Sequence, residues 1–484
     1  MTGSPETDEE KAKKAEKAEK ARVEKAAKAE RYEKARAEKA EKAEKARAEK
    51  EALAEKARAE KEEKLRLEKA EKARLEKAEK VAAKASKGAK REQAARDAGA
   101  RIAHPVLDAI RARVLSGSKP GRRTDGLRIA LSIEGGGMRG TIAAGMCAAI
   151  KYLGIEDAFD DVYGSSAGSI IGTYFVSRQL PVYGASIYYE DISTKTFVDT
   201  THLLPIPGRP RRPVLYLDSL LDGVMKDRKP LDWDRFVKTH KHQRLCPIAT
   251  DLRTLKSATF SKFEKVEDLL DALRASARVP GIAGDPVQIG DGLYTDALVS
   301  EPIPYKTAVA DGATHVLILR TKDAFDLALK PPGVYEKYIA VPHVKSVMKK
   351  LKCDPEASAR AVEHMASGKH LEIYRDDCTE LLDICRPSSS GPQYFQLAPH
   401  PDEDEFHVLE TRPTMVFDGT RLGFQTAYDA LHAAVYNGGV SLRKGGLVAK
   451  WLFADHIIEE VQMARRREED LKKAQKKTNR KRFF

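Results

Sequence analysis

The chain has 484 residues, 33% of them charged and 7% aromatic, with a formal net charge of +13, a length that allows two to four domains at about 100–200 residues each. The charge is uneven: residues 1–100 hold 31 basic and 24 acidic side chains, residues 441–484 hold 13 and 6, and the body between them carries −1. A nucleic-acid-binding core would carry its positive charge on the fold itself, so that class is disfavoured, and basic extensions suit attraction to acidic surfaces such as anionic lipid or RNA. The five cysteines are widely spaced with no CxxC pair, which indicates neither a disulfide framework nor a zinc site and leaves a reducing compartment as the expectation. The opening MTGSPETDEE has no apolar core of a signal peptide. No run approaches the roughly 18 apolar residues of a spanning helix, so the expected location is cytoplasmic, with peripheral membrane attachment allowed.

In chain order, residues 1–98 form a low-complexity arm of Ala, Glu, Lys and Arg, all strong helix formers except that the charge exceeds what a core needs. Glu precedes Lys by four at Glu16/Lys20, Glu38/Lys42, Glu60/Lys64 and Glu76/Lys80, the favourable order for such pairs. Ala recurs mostly every third residue, and large apolar residues are few, so a heptad seam is poorly developed. The arm reads as a solvated helix or partly disordered spacer, with self-association as a coiled coil the alternative.

The body is expected over residues 101–440. LRIALSIE (127–134) is an apolar strand pattern that runs into Gly135-Gly136-Gly137-Met138-Arg139-Gly140 and then a helical stretch. A second strand, turn and helix follows at 160–179. Further strands are expected at 246–252, 257–261 and 314–321, and helices at 266–277 and near 421–436. Strands alternating with helices imply an α/β fold with a mainly parallel sheet covered on both faces. Residues 441–484 read as an amphipathic helix, with Trp451, Ala454, Ile458 and Val461 on one face, ending in a basic tail.

Three segments carry chemistry. A glycine-rich turn between strand and helix lets backbone N–H groups converge on an anion. Read alone, Gly135–Gly140 also matches a dinucleotide fingerprint, with Asp160 and Asp161 some 20 positions later. Gly164-Ser165-Ser166-Ala167-Gly168 is a GxSxG sequence placed where a strand meets a helix, the context of a nucleophile elbow. Asp291-Gly292 places a carboxylate on a turn, with Asp285 and Asp296 competing locally.

The order of glycine loop, GxSxG and Asp-Gly resembles that of the patatin-like phospholipase family, over about residues 125–325. The resemblance implies a three-layer α/β/α fold, an oxyanion hole at Gly135, Gly136 and Gly137 with Arg139 nearby, a nucleophile at Ser166 and its base at Asp291. Gly140, Gly164, Gly168 and Gly292 complete the motif glycines. Glu134 stands where the family usually has Asp, and Leu293 where it usually has Gly or Ala. The implied activity is hydrolysis of fatty-acyl esters, phospholipid or acylglycerol, by a Ser–Asp dyad through an acyl-serine intermediate. No cofactor and no metal is implied, and the expected partner is a lipid at a membrane surface. The alternatives are an inactive lipid-binding or scaffold protein on the same fold and, more remotely, a nucleotide-binding oxidoreductase. The histidines after Asp291, His315 and His343 among them, leave a triad open.

Overall fold

In the computed structural model, apolar β-branched and aliphatic runs become the strands of one eight-stranded sheet, and the small-residue and amphipathic stretches between them become its covering helices. The structure describes residues 103–203, 212–327, 331–401, 403 and 406–482. The expected charged helix of residues 1–98 and its self-association lie outside the described residues.

Helix α1 (Pro105–Ser116) leads into β1 (Ile129–Ile133), α2 (Gly140–Tyr152), β2 (Asp161–Ser165) and α3 (Ala167–Val176). Next come α4 (Trp233–His240), β3 (Arg244–Asp251), β4 (Lys256–Thr259) and α5 (Val266–Ala277), then the hairpin β5 (Val287–Ile289) and β6 (Gly292–Asp296). The chain continues with α6 (Tyr305–Ala310), β7 (His315–Leu319), α7 (Val341–Lys350), α8 (Pro355–Ala366), α9 (Lys369–Ile384) and β8 (Gln393–Leu397). It closes with α10 (Pro413–Tyr436), α11 (Gly445–Leu452) and α12 (Asp455–Arg482).

The strand order is β5-β6-β3-β2-β1-β7-β8, with β4 also on β3. β3, β2, β1, β7 and β8 are parallel, whereas β4 and β6 pair antiparallel with β3. The chain steps from β1 to β2 on one side and later returns to β7 on the other. The carboxyl end of β1 is thus a topological switch point, where open α/β sheets form crevices.

Alternation along the strands divides the core. Ile129, Leu131, Ile133 and Val162 pack with α1, α2, α3 and α10 on one face, while Ala130, Tyr163, Val316 and Ile318 pack with α6 and α9 on the other, which makes the three layers. Ala449, Phe453 and Ile458 are buried in the first of these cores, so packing continues past residue 440. The C-terminal stretch is two helices and not one face. The chain breaks at 453–454, leaving Trp451 73% exposed on α11 while Ile458 on α12 is buried. Residues 341–384 carry α7, α8 and α9; α7 and α8 pack on the β3–β6 side through Val344, Met348, Ala357 and Met365, whereas α9 joins the other core through Cys378 and Leu381.

Candidate functional site

β2 ends at Ser165 and α3 begins at Ala167, so Ser166 alone makes the turn, at φ 52° and ψ −121°. A non-glycine residue in this region is strained and persists only where its surroundings enforce it. They do so here. The Ser166 N–H donates to Ser276 Oγ at 2.9 Å, and its carbonyl accepts from the Ser169 hydroxyl at 2.6 Å and the Ser169 N–H at 2.9 Å. Small neighbours are obligatory on both sides. A Cβ at Gly164 would come 2.5 Å from the Ser169 backbone, and one at Gly168 would run into the Ile133 carbonyl.

The carboxylate beside Ser166 is Asp296, not Asp291. Ser166 Oγ donates to Asp296 Oδ2 at 2.8 Å. Strand register brings the two together: β2 sets Ser165 beside Ile248 of β3, and β3 sets the next residue, Ala249, opposite Asp296 of β6. Asp291 is exposed on the tight turn between β5 and β6, five residues up the strand and so about 16 Å along it. Gly292 begins β6 beyond that turn. The Asp-Gly signal was a hairpin signal.

Asp296 is fully buried, and the other carboxylate oxygen, Oδ1, accepts from the Leu298 N–H at 2.8 Å, capping the short turn that follows β6. Burial pushes its carboxyl up to about 7, partly opposed by the hydrogen bonds from Leu298 and Ser166. Tyr335 lies near enough that the Asp296 charge, after burial, holds its phenol protonated, and its hydroxyl donates to the Pro280 carbonyl at 3.1 Å. Next to this pair lies an apolar cluster of Val214, Ile282 and Ile339 with Val279 and Leu409. Among the described residues no histidine hydrogen-bonds Ser166 or Asp296.

The glycine loop lies against the elbow: a Cβ on Gly135 would sit 3.1 Å from Ser166 Cβ and 2.9 Å from the Ser165 carbonyl oxygen. Gly140 opens α2 against Ala167. Of the four amides expected at an oxyanion hole, two are committed. Gly135 N–H donates to the Pro302 carbonyl at 3.2 Å and Arg139 N–H to the Gly136 carbonyl at 3.0 Å. Met138 N–H donates to the Val408 carbonyl at 3.0 Å. The N–H groups of Gly136 and Gly137 have no acceptor among the described residues, and Gly137 takes a φ of 57° that glycine adopts without strain.

Glu134 anchors this loop. Its carboxylate accepts from Arg320 Nε at 3.1 Å, from the Thr321 N–H at 2.5 Å and from the Tyr374 hydroxyl at 2.7 Å, while Thr321 Oγ1 donates to the Gly135 carbonyl at 2.8 Å. Glu134 and Arg320 are both buried, at 1% and 0% exposure, so the pair ties β1, β7 and α9 together at the loop's root. The Arg139 guanidinium has no acidic partner among the described residues, and its Nε is buried without a hydrogen bond.

The dinucleotide alternative fails on position. Asp160 and Asp161 sit at the start of β2, at the opposite end of the strand from Ser166, where Arg113 and Arg123 engage the first and Arg128 and Arg244 the second. Among the described residues no three His, Cys, Asp or Glu side chains are grouped to hold a metal, all five cysteines are free, and no helix is long and apolar enough to cross a membrane.

Residues 131–309, from β1 into α6, match the family model described as Patatin-like phospholipase. The uncharacterized protein YjjU of Escherichia coli (strain K12) is 28% identical over 198 residues, 40% of this chain and 52% of that one, so the chain spans about half the length of this curated relative. The crystal structure of VipD from Legionella pneumophila aligns over 70% of this chain and 77% of that one at 12% identity, with a TM-score of 0.30. The stretch of this chain that matches the patatin-like phospholipase family model takes in the glycine loop, the Ser166 elbow and Asp296.

Proposed function

We propose that the chain is a lipid acyl hydrolase that cleaves fatty-acyl esters with Ser166 as nucleophile and Asp296 as general base. The observation that carries this reading is the 2.8 Å hydrogen bond from Ser166 Oγ to a fully buried carboxylate whose pKa is raised to about 7. A serine hydroxyl attacks only when a base takes its proton, and a base is most effective when its pKa lies near the working pH. An ordinary Asp near about 3.9 would be too weak, and burial supplies the difference.

Ser166 Oγ attacks the ester carbonyl carbon while Asp296 accepts its proton. Gly136 and Gly137 N–H groups receive the oxyanion, each such donor being worth about 100- to 1000-fold in rate. Collapse of the tetrahedral intermediate breaks the bond to the alcohol, and Asp296 returns the proton to the leaving alkoxide. Water, deprotonated by Asp296, then releases the fatty acid from Ser166. Arg139, without a carboxylate partner among the described residues, suits the phosphate of a phospholipid.

The test is labelling with a fluorophosphonate, read by mass spectrometry on wild type and Ser166→Ala. The expected result is one adduct on Ser166 and none in the variant. Absence of any adduct on folded protein would overturn hydrolysis in favour of a lipid-binding module.

A further inference from the structure

Helix α11 exposes two of the largest apolar side chains on the molecule. Leu447 is 72% exposed and Trp451 73%, and Leu442 just before the helix is 49% exposed. Four residues apart, Leu447 and Trp451 share one helix face, opposite Gly445 and Ala449, which are buried against α10. Singly exposed apolar residues need no explanation, but a paired Leu and Trp beside a third apolar side chain form a patch.

Within the segment that carries it, the charge has one sign. Residues 437–454 contain Arg443, Lys444 and Lys450 and no Asp or Glu, and all three basic side chains are exposed. An apolar stripe carrying Trp and flanked by Lys is the pattern of a helix that lies in a lipid interface, Trp at the headgroup level and the cations toward anionic lipid. Each basic group near such a surface contributes attraction that fades within a Debye length.

The patch also lies at the end of the molecule that matters. Gly445 N–H donates to Asp429 at 2.8 Å, and Phe453 packs on Phe417 at 6.3 Å, so α11 runs back along α10 toward its start. There Thr141 Oγ1 donates to the Val416 carbonyl at 2.9 Å, and Thr141 is one residue after the glycine loop. The Trp451 end of α11 is thus joined through two packed contacts to the first turn of α2.

We infer that the exposed face of α11, Leu447 and Trp451 with Lys444 and Lys450, docks on an anionic lipid bilayer. The inference deepens the hydrolase reading, since a lipid substrate is presented at a surface, but binding is read separately from turnover. The experiment uses the full chain carrying Ser166→Ala and vesicles of phosphatidylcholine with about one third phosphatidylserine. In a Trp233→Phe background, Trp451 emission should shift to the blue on adding vesicles, and flotation should show that Leu447→Ser/Trp451→Ser lowers partitioning by roughly 10- to 100-fold. The same double variant with Ser166 restored should keep its melting temperature and its turnover of a soluble ester. An unshifted Trp451 or unchanged partitioning overturns the proposal. So does a concentration-dependent dimer, formed without lipid and abolished by the double variant, which would make a second copy the occupant. If vesicle binding behaves as expected while no Ser166-dependent ester turnover exists, the docking surface stands and the hydrolase reading falls.

Discussion

Replacing Asp296 by Asn separates function from stability at one atom. Asn keeps the shape, its Oδ1 can still accept the Leu298 N–H, and its Nδ2 can donate to Ser166 Oγ, but it cannot take a proton. Loss of a positioned base costs about 100- to 10,000-fold in rate, so kcat/KM on a soluble p-nitrophenyl ester should fall by that range. Stability should move the other way. The carboxyl sits at about 7 in the folded chain against 3.8 for a free group. A raised carboxyl pKa means that the folded state disfavours the charge, so Asp296 weakens the fold progressively as pH rises from about 4 to about 7. At about 1.4 kcal/mol per pKa unit the full cost above that window is about 4 kcal/mol. Asp296→Asn should therefore raise the melting temperature at pH 8 and change it little at pH 4, read by thermal denaturation at both pH values. Asp291→Asn, on the exposed turn, should alter neither quantity. The reasoning is refuted if Asp291→Asn is the variant that loses turnover, or if Asp296→Asn melts lower at pH 8 than wild type.

In wild type, kcat/KM should fall as pH drops through about 7, because Asp296 must be unprotonated to accept the Ser166 proton; a profile flat from pH 5 to pH 8 would show that another group is the base. Glu134→Ala leaves Arg320 buried without its carboxylate and should cost about 3–5 kcal/mol, seen as a large drop in melting temperature. Gly136→Val should lower turnover by about 100-fold or more, because its Cβ would come 2.7 Å from Thr321 Oγ1 and displace the loop that presents the free amides. Retention of most activity in that variant would assign the loop another role.

Local signals were legible in the sequence where spacing alone determines geometry. The apolar run at 127–134 is β1 with its flanks, and VEDLLDALRASA is α5 residue for residue. GxSxG carried the Ser166 turn because small residues on both sides of a strand-to-helix corner are a steric need of that corner and of little else. Asp296 was beyond this kind of reading. Asp285, Asp291 and Asp296 stand within twelve residues, and the Asp-Gly pair is the strongest turn signal among them, but a hairpin tip is where a buried base cannot be. The usable signal was the alternation through Leu293 and Thr295, both buried, ending in a carboxylate two residues before an amide it caps. Choosing it requires the β3 register, which couples residues about 45 positions apart. Helices α7 and α8 were obscured by Lys and Glu on wide exposed faces, since only a narrow stripe of Val344, Met348, Ala357 and Met365 touches the core.

The match to the family model ends at residue 309, but the loop that would receive the oxyanion is not finished there. Thr321 holds the Gly135 carbonyl, Arg320 and Tyr374 hold Glu134, Val408 takes the Met138 amide, and α10 clasps the first turn of α2 through Val416. In a fragment cut at 309 those groups would face water, and the glycine loop would lose the struts that decide which amides stay open. The unit of inheritance, as similarity draws it, is smaller than the unit of folding. Substitutions a hundred residues downstream can therefore tune the reaction without touching any motif.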